Sequence, residues 1–346
     1  MFIRINRDKN NPLVMSYMKK DIKQFKKLIN NGENVNCLYD GKYSLISAVI
    51  ANYARFINNN ENKKFFNALM DAKVHLGKIG DEKMLLWMAL EHQNDIYYMK
   101  RLLESKNEKD YIYERTSDEI EMVNEPHIFT AIRSEDINKI NLLINKKINL
   151  HNSKKNNEPV LNYLINRRNK SLSKLLPKFL QLGANPNDCD ISGRNALHSL
   201  AMHNSNDKLC EILLKYIKNI NACDTYGNTP IMYASRYGFL NIINLLTKNN
   251  ADLDIQNRHK KTAAMMSFDV ESIDTSKFDT LKLLVEKGAD LSKQDIYGDT
   301  VAHYVAYNRH YIKDLDKYLE LFKNNDITMY LKNESGITVK SLIEKV

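Results

Sequence analysis

The chain repeats itself at intervals close to 33 residues, and this recurrence limits the possible folds more than any other feature of the sequence. Thr229, Thr262, Thr300 and Thr338 share one register at steps of 33, 38 and 38 residues, and Asn195 lies 34 residues before Thr229. A period of this length is typical of a solenoid, in which one supersecondary unit is stacked on copies of itself.

The first half of each repeat combines a turn with a helical pattern. It reads DISGRNALHSLAMHN from residue 190, DTYGNTPIMYASRYG from residue 224 and DIYGDTVAHYVAYNR from residue 295. Thr229 and Pro230 predict a helix start, because a hydroxyl can cap free backbone N–H groups and proline fits the first helical position. Apolar residues then recur at steps of three to four, which indicates amphipathic helices on either side of Gly238.

The second halves agree as well. NIINLLTKNNADLDIQN (241–257) matches DTLKLLVEKGADLSKQD (279–295), and DIKQFKKLINNGENVNC (21–37) has the same shape. One such helix pair cannot bury its own apolar face, whereas a stack of pairs can.

The stretch GNTPIMYASRYGFLNIINLLTKNNADLD (227–254) resembles the ankyrin-repeat pattern G-x-TPLH-x-A-A-x-x-G…LL-x-x-GA. Met232 stands where the family usually has histidine, and His198 and His303 occupy that position in neighbouring repeats. The resemblance is strong over 180–346 and weak over 11–180. It implies an all-α solenoid of stacked helix-turn-helix repeats joined by hairpin loops, with about nine repeats and a terminal half-repeat.

We expect residues 1–346 to form a single solenoid of uneven regularity. Residues 11–123 are degenerate repeats that carry an acidic insertion near 106–125, where eight Asp and Glu face three Lys and Arg over 104–125. Residues 124–332 are more regular, and residues 333–346 form a C-terminal capping half-repeat. Trp87 is expected in the core of a degenerate repeat.

In an ankyrin-like stack, hairpin tips and the exposed side of each first helix line a concave groove, so the resemblance places partner-binding residues there. Tyrosine and arginine, which are enriched at binding hot spots, are frequent at these positions. The alternative is that the tips are merely exposed turns, with Ile191 and Ile296 packed on neighbouring tips. The candidates are Ile191, Arg194, Met202, His203, Thr225, Tyr226, Asn228, Arg236, Tyr237, Arg258, His259, Lys261, Ile296, Tyr297, Asp299 and Tyr307.

A second class of function, a nucleic-acid or anionic-surface binder that uses the basic stretch 146–178, rests on positive charge. The net charge is +9, and the segment 146–178 holds nine Lys and Arg against Glu158 alone. Nucleic-acid binders that stack bases place aromatic residues among such charges, and Tyr163 is almost the only one here. A solvated face or an acidic protein partner is therefore favoured over nucleic acid.

Enzymatic motifs are absent from the sequence, which contains no GxGxxG, GxxxxGK[ST], HExxH or GxSxG. We expect no catalysis, no cofactor and no metal. His198 and His303 are explained as structural, because the family uses this histidine to tie adjacent repeats together. Cys189 and Cys223 are repeat-equivalent and expected to be small, buried hairpin residues rather than a disulfide.

The start of the sequence lacks the apolar stretch of a secretory signal, and no apolar run reaches the length of a membrane span. We expect a monomeric protein-binding scaffold of the cytoplasm. The alternative is a host-directed effector or host-range protein of an intracellular bacterium or large DNA virus, delivered without an N-terminal signal peptide.

Overall fold

The chain forms two compact units, Met1–Ile148 and Asn149–Val346. The computed structural model describes residues 11–39, 44–51, 59–74, 89, 96–104, 127–145, 150–151, 153–203, 206–269, 275–312, 314–323 and 329–344. The acidic insertion 106–125 and Trp87 lie outside the described residues.

Among its described residues, the N-terminal unit contains the helices α1 (Pro12–Met18), α2 (Ile22–Asn30), α3 (Leu45–Ile50), α4 (Asn59–Asp71), α5 (Tyr97–Glu104), α6 (His127–Arg133) and α7 (Ile137–Asn145). Three pairs of them pack together: α1 contacts α2, α3 contacts α4, and α6 contacts α7.

Aromatic rings surround one buried amide in the core of this unit. The rings of Tyr17 and Phe65 meet edge to face, with centroids 5.2 Å apart. Asn62 is 1% exposed, and its Nδ2 donates to the Val49 carbonyl at 2.7 Å and to the Tyr98 hydroxyl at 2.9 Å. The Tyr17 hydroxyl donates to Asn62 Oδ1 at 3.2 Å. Both polar ends of the amide are satisfied, so its burial carries little penalty.

The C-terminal unit is a stack of repeats, each with a hairpin and a helix pair. It contains β1 (Lys154–Lys155), β2 (Glu158–Pro159), α8 (Val160–Asn166), α9 (Lys170–Ser173), α10 (Leu176–Gln181), α11 (Ala196–His203), α12 (Asp207–Leu214), α13 (Pro230–Tyr237), α14 (Leu240–Lys248), α15 (Ala263–Met266), α16 (Thr275–Glu286), α17 (Val301–Tyr307), a 3₁₀ turn (Arg309–Tyr311), α18 (Leu315–Lys323) and α19 (Val339–Ile343).

Contacts within the C-terminal unit follow the repeat order. The first helices α8, α11, α13, α15, α17 and α19 each contact the next one in this series. The second helices α12, α14, α16 and α18 do the same. The all-α architecture of stacked helix pairs expected from the sequence is confirmed.

Helices α13 and α14 show how local sequence produces a pair. Pro230 begins α13, where its missing N–H costs no hydrogen bond. Gly238 ends that helix at φ 71°, a left-handed conformation that glycine adopts without strain. Ile242, Ile243 and Leu246 on α14 are buried, as helical spacing of apolar residues predicts.

The hairpins from residue 190 onward are closed by the side chain of their first residue. Oδ1 of Asp224 accepts hydrogen bonds from the backbone N–H groups of Tyr226 and Asn228, both at 2.8 Å. Such an Asx turn explains why each hairpin starts with Asp or Asn. The same pair of bonds is made by Asp190, Asn257, Asp295 and Asn333.

One backbone hydrogen bond joins each of these hairpins to the next. In every case the N–H of the second hairpin residue donates to the carbonyl of the third residue of the preceding hairpin. The bonds run from Thr225 to Ser192 at 2.8 Å, from Arg258 to Tyr226 at 3.0 Å, from Ile296 to His259 at 3.1 Å and from Glu334 to Tyr297 at 2.9 Å.

This close approach of hairpins leaves no room for a Cβ at the fourth positions Gly227 and Gly298, whereas the hairpin from Asn257 carries Lys260 there with φ +54°. Gly227 has φ +78°, and a Cβ added there would lie 3.0 Å from the Arg258 nitrogen. At Gly298, with φ +76°, a Cβ would lie 2.8 Å from the Glu334 nitrogen. Both the left-handed backbone and the neighbouring main chain therefore exclude a larger residue.

A side chain of the first helix provides a second link between repeats. His198 and His303 are fully buried. Their Nε2 atoms lie 3.2 Å from the carbonyl oxygens of Asn228 and Ile337, respectively, each in the next hairpin. The two histidines thus occupy the structural position that the sequence predicted for them.

Asn162 also links its repeat to the next hairpin, in the repeat before that of His198, and the sequence did not reveal this role. Its Nδ2 donates to the Arg194 carbonyl at 2.7 Å, which is the equivalent atom of the next hairpin. Asparagine can replace histidine here because only one N–H donor has to reach across the repeats.

Met232 and Met265 occupy the same position in the two middle repeats, where the thioether has no proton to donate. The predicted cap by the Thr229 hydroxyl is wrong, because this buried hydroxyl has no hydrogen-bond partner. Instead, the Thr229 N–H points at Met232 Sδ at 3.4 Å. In the histidine repeat, Thr300 Oγ1 lies 2.9 Å from His303 Nδ1.

The expectation that Cys189 and Cys223 are buried is also wrong. Both thiols are free and exposed. The position immediately before each hairpin faces outward, where Gln256 in the next repeat donates from Nε2 to the carbonyls of Lys260 and Gln294 at 2.6 and 2.8 Å.

We expect Gly227→Ala to lower the free energy of unfolding by about 2–4 kcal/mol, because the methyl group adds a main-chain clash to left-handed strain. Gly336→Ala is the matched control: φ is +72° there, but no atom lies within 4 Å of the added Cβ. It should cost only about 1 kcal/mol. Equal losses in urea unfolding would contradict a role for the hairpin contact.

Met232→His should raise the free energy of unfolding by about 1 kcal/mol, because the imidazole can bond both the Thr229 hydroxyl and the next hairpin. Met232→Leu, which fills similar space without a donor, is the comparison. A histidine variant no more stable than the leucine variant in chemical denaturation would refute this link.

Burial lowers the pKa of His198, with hydrogen bonding to the Asn228 carbonyl acting in the opposite sense. The unfolded chain therefore binds this proton more readily, and the free energy of unfolding should fall as pH drops below about 6.5. His198→Asn keeps an N–H donor but cannot titrate. Denaturation between pH 7.5 and 5.5 should show a smaller loss for this variant, and an unchanged slope would contradict the assignment.

Candidate protein-binding surface

The second and third residues of consecutive hairpins form a continuous series, here called the tip row. Their backbones are tied together by the hydrogen bonds between hairpins, so their order along the stack is set by the main chain. The tip row comprises Ile191, Ser192, Thr225, Tyr226, Arg258, His259, Ile296 and Tyr297.

Large apolar and aromatic side chains of the tip row face solvent. Ile191 is 79% exposed, Tyr226 59%, Tyr297 63% and Ile296 40%. The alternative of Ile191 and Ile296 packed into neighbouring tips does not fit these values. Exposed apolar side chains of this size are a feature of interaction surfaces when they occur together.

The third position carries rings in three successive hairpins. Tyr226, His259 and Tyr297 follow one another, and all three are exposed. Thr225 and Arg258 at the second position are exposed as well. The tip row therefore combines rings, one guanidinium and branched aliphatic groups on a hydrogen-bonded main chain.

Asn228 does not belong to the exposed surface, and its assignment as an accessible tip residue is wrong. It is 8% exposed, and its Nδ2 donates to the Tyr233 hydroxyl at 3.3 Å. Asn257 of the next hairpin donates to Asn228 Oδ1 at 2.8 Å. Tyr233 in turn donates to Asp224 Oδ2 at 2.5 Å, so this amide is held inside a chain of structural hydrogen bonds.

Arg194 and Met202 are brought together within one repeat. Arg194 forms an ion pair with Asp190, with Nη2 2.9 Å from Oδ2, and its Nη1 lies 3.8 Å from Met202 Sδ. The guanidinium is therefore partly committed to its own hairpin.

Arg236 and Lys261 meet on a residue outside the candidate set. Asp269 binds Arg236 Nη1 at 3.1 Å and Lys261 Nζ at 3.1 Å. Lys277 Nζ also donates to the Arg236 carbonyl at 2.8 Å. Asp269 lies twelve residues after the hairpin start Asn257, and this spacing is the signal that could have identified it.

Asp299 and Tyr307 form a similar internal pair. The Tyr307 hydroxyl donates to Asp299 Oδ1 at 3.1 Å. Asn333 Nδ2 of the next hairpin donates to the same oxygen at 2.8 Å. Tyr237 carries no such hydrogen bond; its ring stacks on Phe239 with centroids 6.1 Å apart, and it is 43% exposed.

The basic stretch 146–178 is described only in part, since Lys146 and Lys147 lie outside the described residues. Tyr163, its single aromatic residue of note, is covered by two cations. Lys155 Nζ lies 5.4 Å and Arg167 Cζ 4.9 Å from the ring centroid.

His203 stands beside two arginines at the end of α11. Its Nδ1 lies 2.9 Å from Arg168 Nη2. Burial lowers the pKa of His203, and the positive charges of Arg168 and Arg194 lower it further. At neutral pH the imidazole is therefore uncharged, and its Nδ1 accepts a hydrogen bond from Arg168 Nη2.

Within the described part of the chain, no group of three or more His, Cys, Asp or Glu side chains could hold a metal ion. No helix among the described residues is long and apolar enough to cross a membrane.

Comparisons with known proteins agree with this geometry. Residues 152–257 match a model of ankyrin repeats in three copies, and residues 262–315 match a second model of ankyrin repeats in many copies. Residues 152–257 and 262–315 thus consist of ankyrin repeats, and the family predicted from the sequence is confirmed.

Two relatives are ankyrin repeat proteins of Acanthamoeba polyphaga mimivirus. One is 32% identical over 169 residues, covering 48% of this chain and 21% of the relative. The other is 27% identical over 278 residues, covering 74% of this chain and 35% of the relative. The chain therefore spans about a fifth to a third of the length of these relatives.

Among solved structures, the ankyrin repeat domain of Bcl-3, a member of the IκB protein family, is similar to this chain. The TM-score is 0.51 at 17% sequence identity, and the match covers 62% of this chain and 92% of that chain. At this identity the likeness concerns the fold alone.

Proposed function

We propose that this protein is a non-enzymatic scaffold that binds a protein partner through the tip row. Ankyrin repeats generally mediate protein–protein interaction, and the repeats here supply the framework. The observation that carries the proposal is the exposure of Ile191, Tyr226, Ile296 and Tyr297 on hairpins joined by backbone hydrogen bonds.

The tip row suits recognition because its rings lose little freedom on binding. Tyrosine has a large surface, two side-chain torsions and a hydroxyl that can form a hydrogen bond when covered. The Asx turn and the link to the next hairpin hold the backbone of Tyr226 and Tyr297 in place. A surface that is already ordered loses less conformational entropy when it binds a partner.

The candidates near the ends of the first helices fit a polar rim better than a binding centre. Arg194, Arg236, Lys261 and Asp299 already hold intramolecular partners. To bind another protein, these side chains would have to give up their intramolecular partners. The net gain in binding free energy is therefore small. Within the part of the chain that the structure describes, the tip row forms no such ion pairs.

The remaining proposals concern organisation and location. A single solenoid over residues 1–346, a monomeric state and a cytoplasmic location stay proposals. Both relatives come from a virus that bears the name of an amoeba. This origin favours the host-directed alternative over an ordinary cytoplasmic scaffold. Neither relative's name assigns a partner.

The test is affinity capture with quantitative mass spectrometry, comparing wild-type protein with a Tyr226→Ala/Tyr297→Ala variant. The matched control is Tyr216→Ala/Tyr330→Ala, which removes two tyrosines that are 52% and 59% exposed outside the tip row. We expect proteins retained by wild type and control to fall at least tenfold with the tip variant, because hot-spot truncation costs about 2 kcal/mol or more.

Unchanged thermal unfolding would show that all variants are folded. Equal capture by the tip variant and the control would overturn the tip row as the binding surface.

A further inference from the structure

Basic side chains gather around the first helices α8 and α11: Lys155 and Arg194 lie in the hairpins before them, and Arg167, Arg168 and His203 lie at their C-terminal ends. We call these five residues the cationic cluster. The acids that act on them are Glu158 and Asp190, both in or beside the hairpins of these repeats. The five cationic or titratable side chains thus face two carboxylates, leaving an excess of positive charge at neutral pH.

Most members of the cationic cluster are already engaged. Arg194 holds Asp190 through Nε at 3.0 Å and Nη2 at 2.9 Å. Lys155 and Arg167 lie against the ring of Tyr163, and Arg167 Nη2 also donates to its hydroxyl at 2.9 Å.

Arg168 is the exception. It is exposed, and within the described residues its polar contact is the bond to the ring of His203. The pKa of that ring is lowered, so at pH 7 its Nδ1 accepts a hydrogen bond from Arg168 Nη2 but does not neutralise the guanidinium charge. Arg168 therefore presents an exposed guanidinium without an acidic partner among the described residues, and such a charge attracts an anion.

From this geometry we infer that Arg168 binds a carboxylate of an acidic peptide segment of the partner, with His203 and Arg194 beside it. A guanidinium pairs with a carboxylate through two parallel N–H···O bonds, which gives both affinity and orientation. The inference refines the proposed function by assigning a class of partner, and it adds a contact separate from the tip row.

An acidic peptide suits the cationic cluster better than a nucleic acid. Base stacking needs an accessible ring face, and the ring of Tyr163 has Lys155 and Arg167 over it. A carboxylate needs only the outward guanidinium of Arg168.

The charge of Arg168 can be removed by a substitution that does not strain the backbone. Its φ is +55°, a region that favours glycine, and Gly238 with φ +71° occupies the equivalent position after α13. Arg168→Gly therefore removes the charge without straining the backbone. Lys20→Gly is the matched control, since Lys20 has φ +59° in the same place after α1 and also loses one positive charge.

The probe is a fluorescein-labelled ten-residue peptide of alternating glutamate and serine, followed by fluorescence anisotropy at low salt with the full chain. We expect Arg168→Gly to weaken its binding about tenfold and Lys20→Gly to leave it within about twofold. A glutamine–serine peptide should not bind.

Three results would overturn the inference: no binding of the glutamate peptide by wild type, equal weakening by both glycine variants, or tighter and equally Arg168-dependent binding of a decathymidylate. None of them affects the tip-row experiment, which measures capture through Tyr226 and Tyr297. Thermal unfolding of Arg168→Gly at or above the wild-type temperature shows that the fold is intact.

Discussion

The C-terminal unit depends on a single main-chain contact repeated along it, the hydrogen bond from the second residue of one hairpin to the third residue of the hairpin before. This bond needs no particular side chain, but it brings two backbones so close that Gly227 and Gly298 cannot carry a Cβ. The main chain maintains the stacking of hairpins. The side chains of the second and third hairpin residues are therefore not needed for the fold. The tip row can vary in sequence without loss of the fold, which is what a recognition surface requires.

Structural roles and the proposed recognition role separate by position within each repeat. The first hairpin residue closes the turn, the histidine position links repeats, and fifth-position and helix-end residues pair with one another, as Lys261 and Arg236 do through Asp269. Among the described residues, the second and third hairpin residues carry exposed large side chains in successive repeats, as Ile191, Tyr226 and Tyr297 show. Arg168 stands apart from this scheme, because its charge has no acidic partner among the described residues.

Much of the fold was predictable from local sequence, and most errors occurred where one side chain meets another repeat. The helix pairs, the turn at Gly238 and the repeat register follow from residues close in the chain. The buried state of Asn228 depends on Asn257, and the exposed state of Cys223 depends on which face the pre-hairpin position presents. Asn162 could not be recognised as the equivalent of His198, since the two side chains share only a donor and not a motif.

The sequence by itself determined the repeat period, the helical class and the positions of the hairpins, because these depend on apolar spacing and turn chemistry within about ten residues. Only the tertiary structure decided which side chains remain available. Arg194 finds Asp190 within its hairpin, but Arg236 finds Asp269, and Arg168 finds His203, across more than thirty residues of chain. Such pairings arise from stacking of one repeat on the next, and no pattern within a single repeat encodes them.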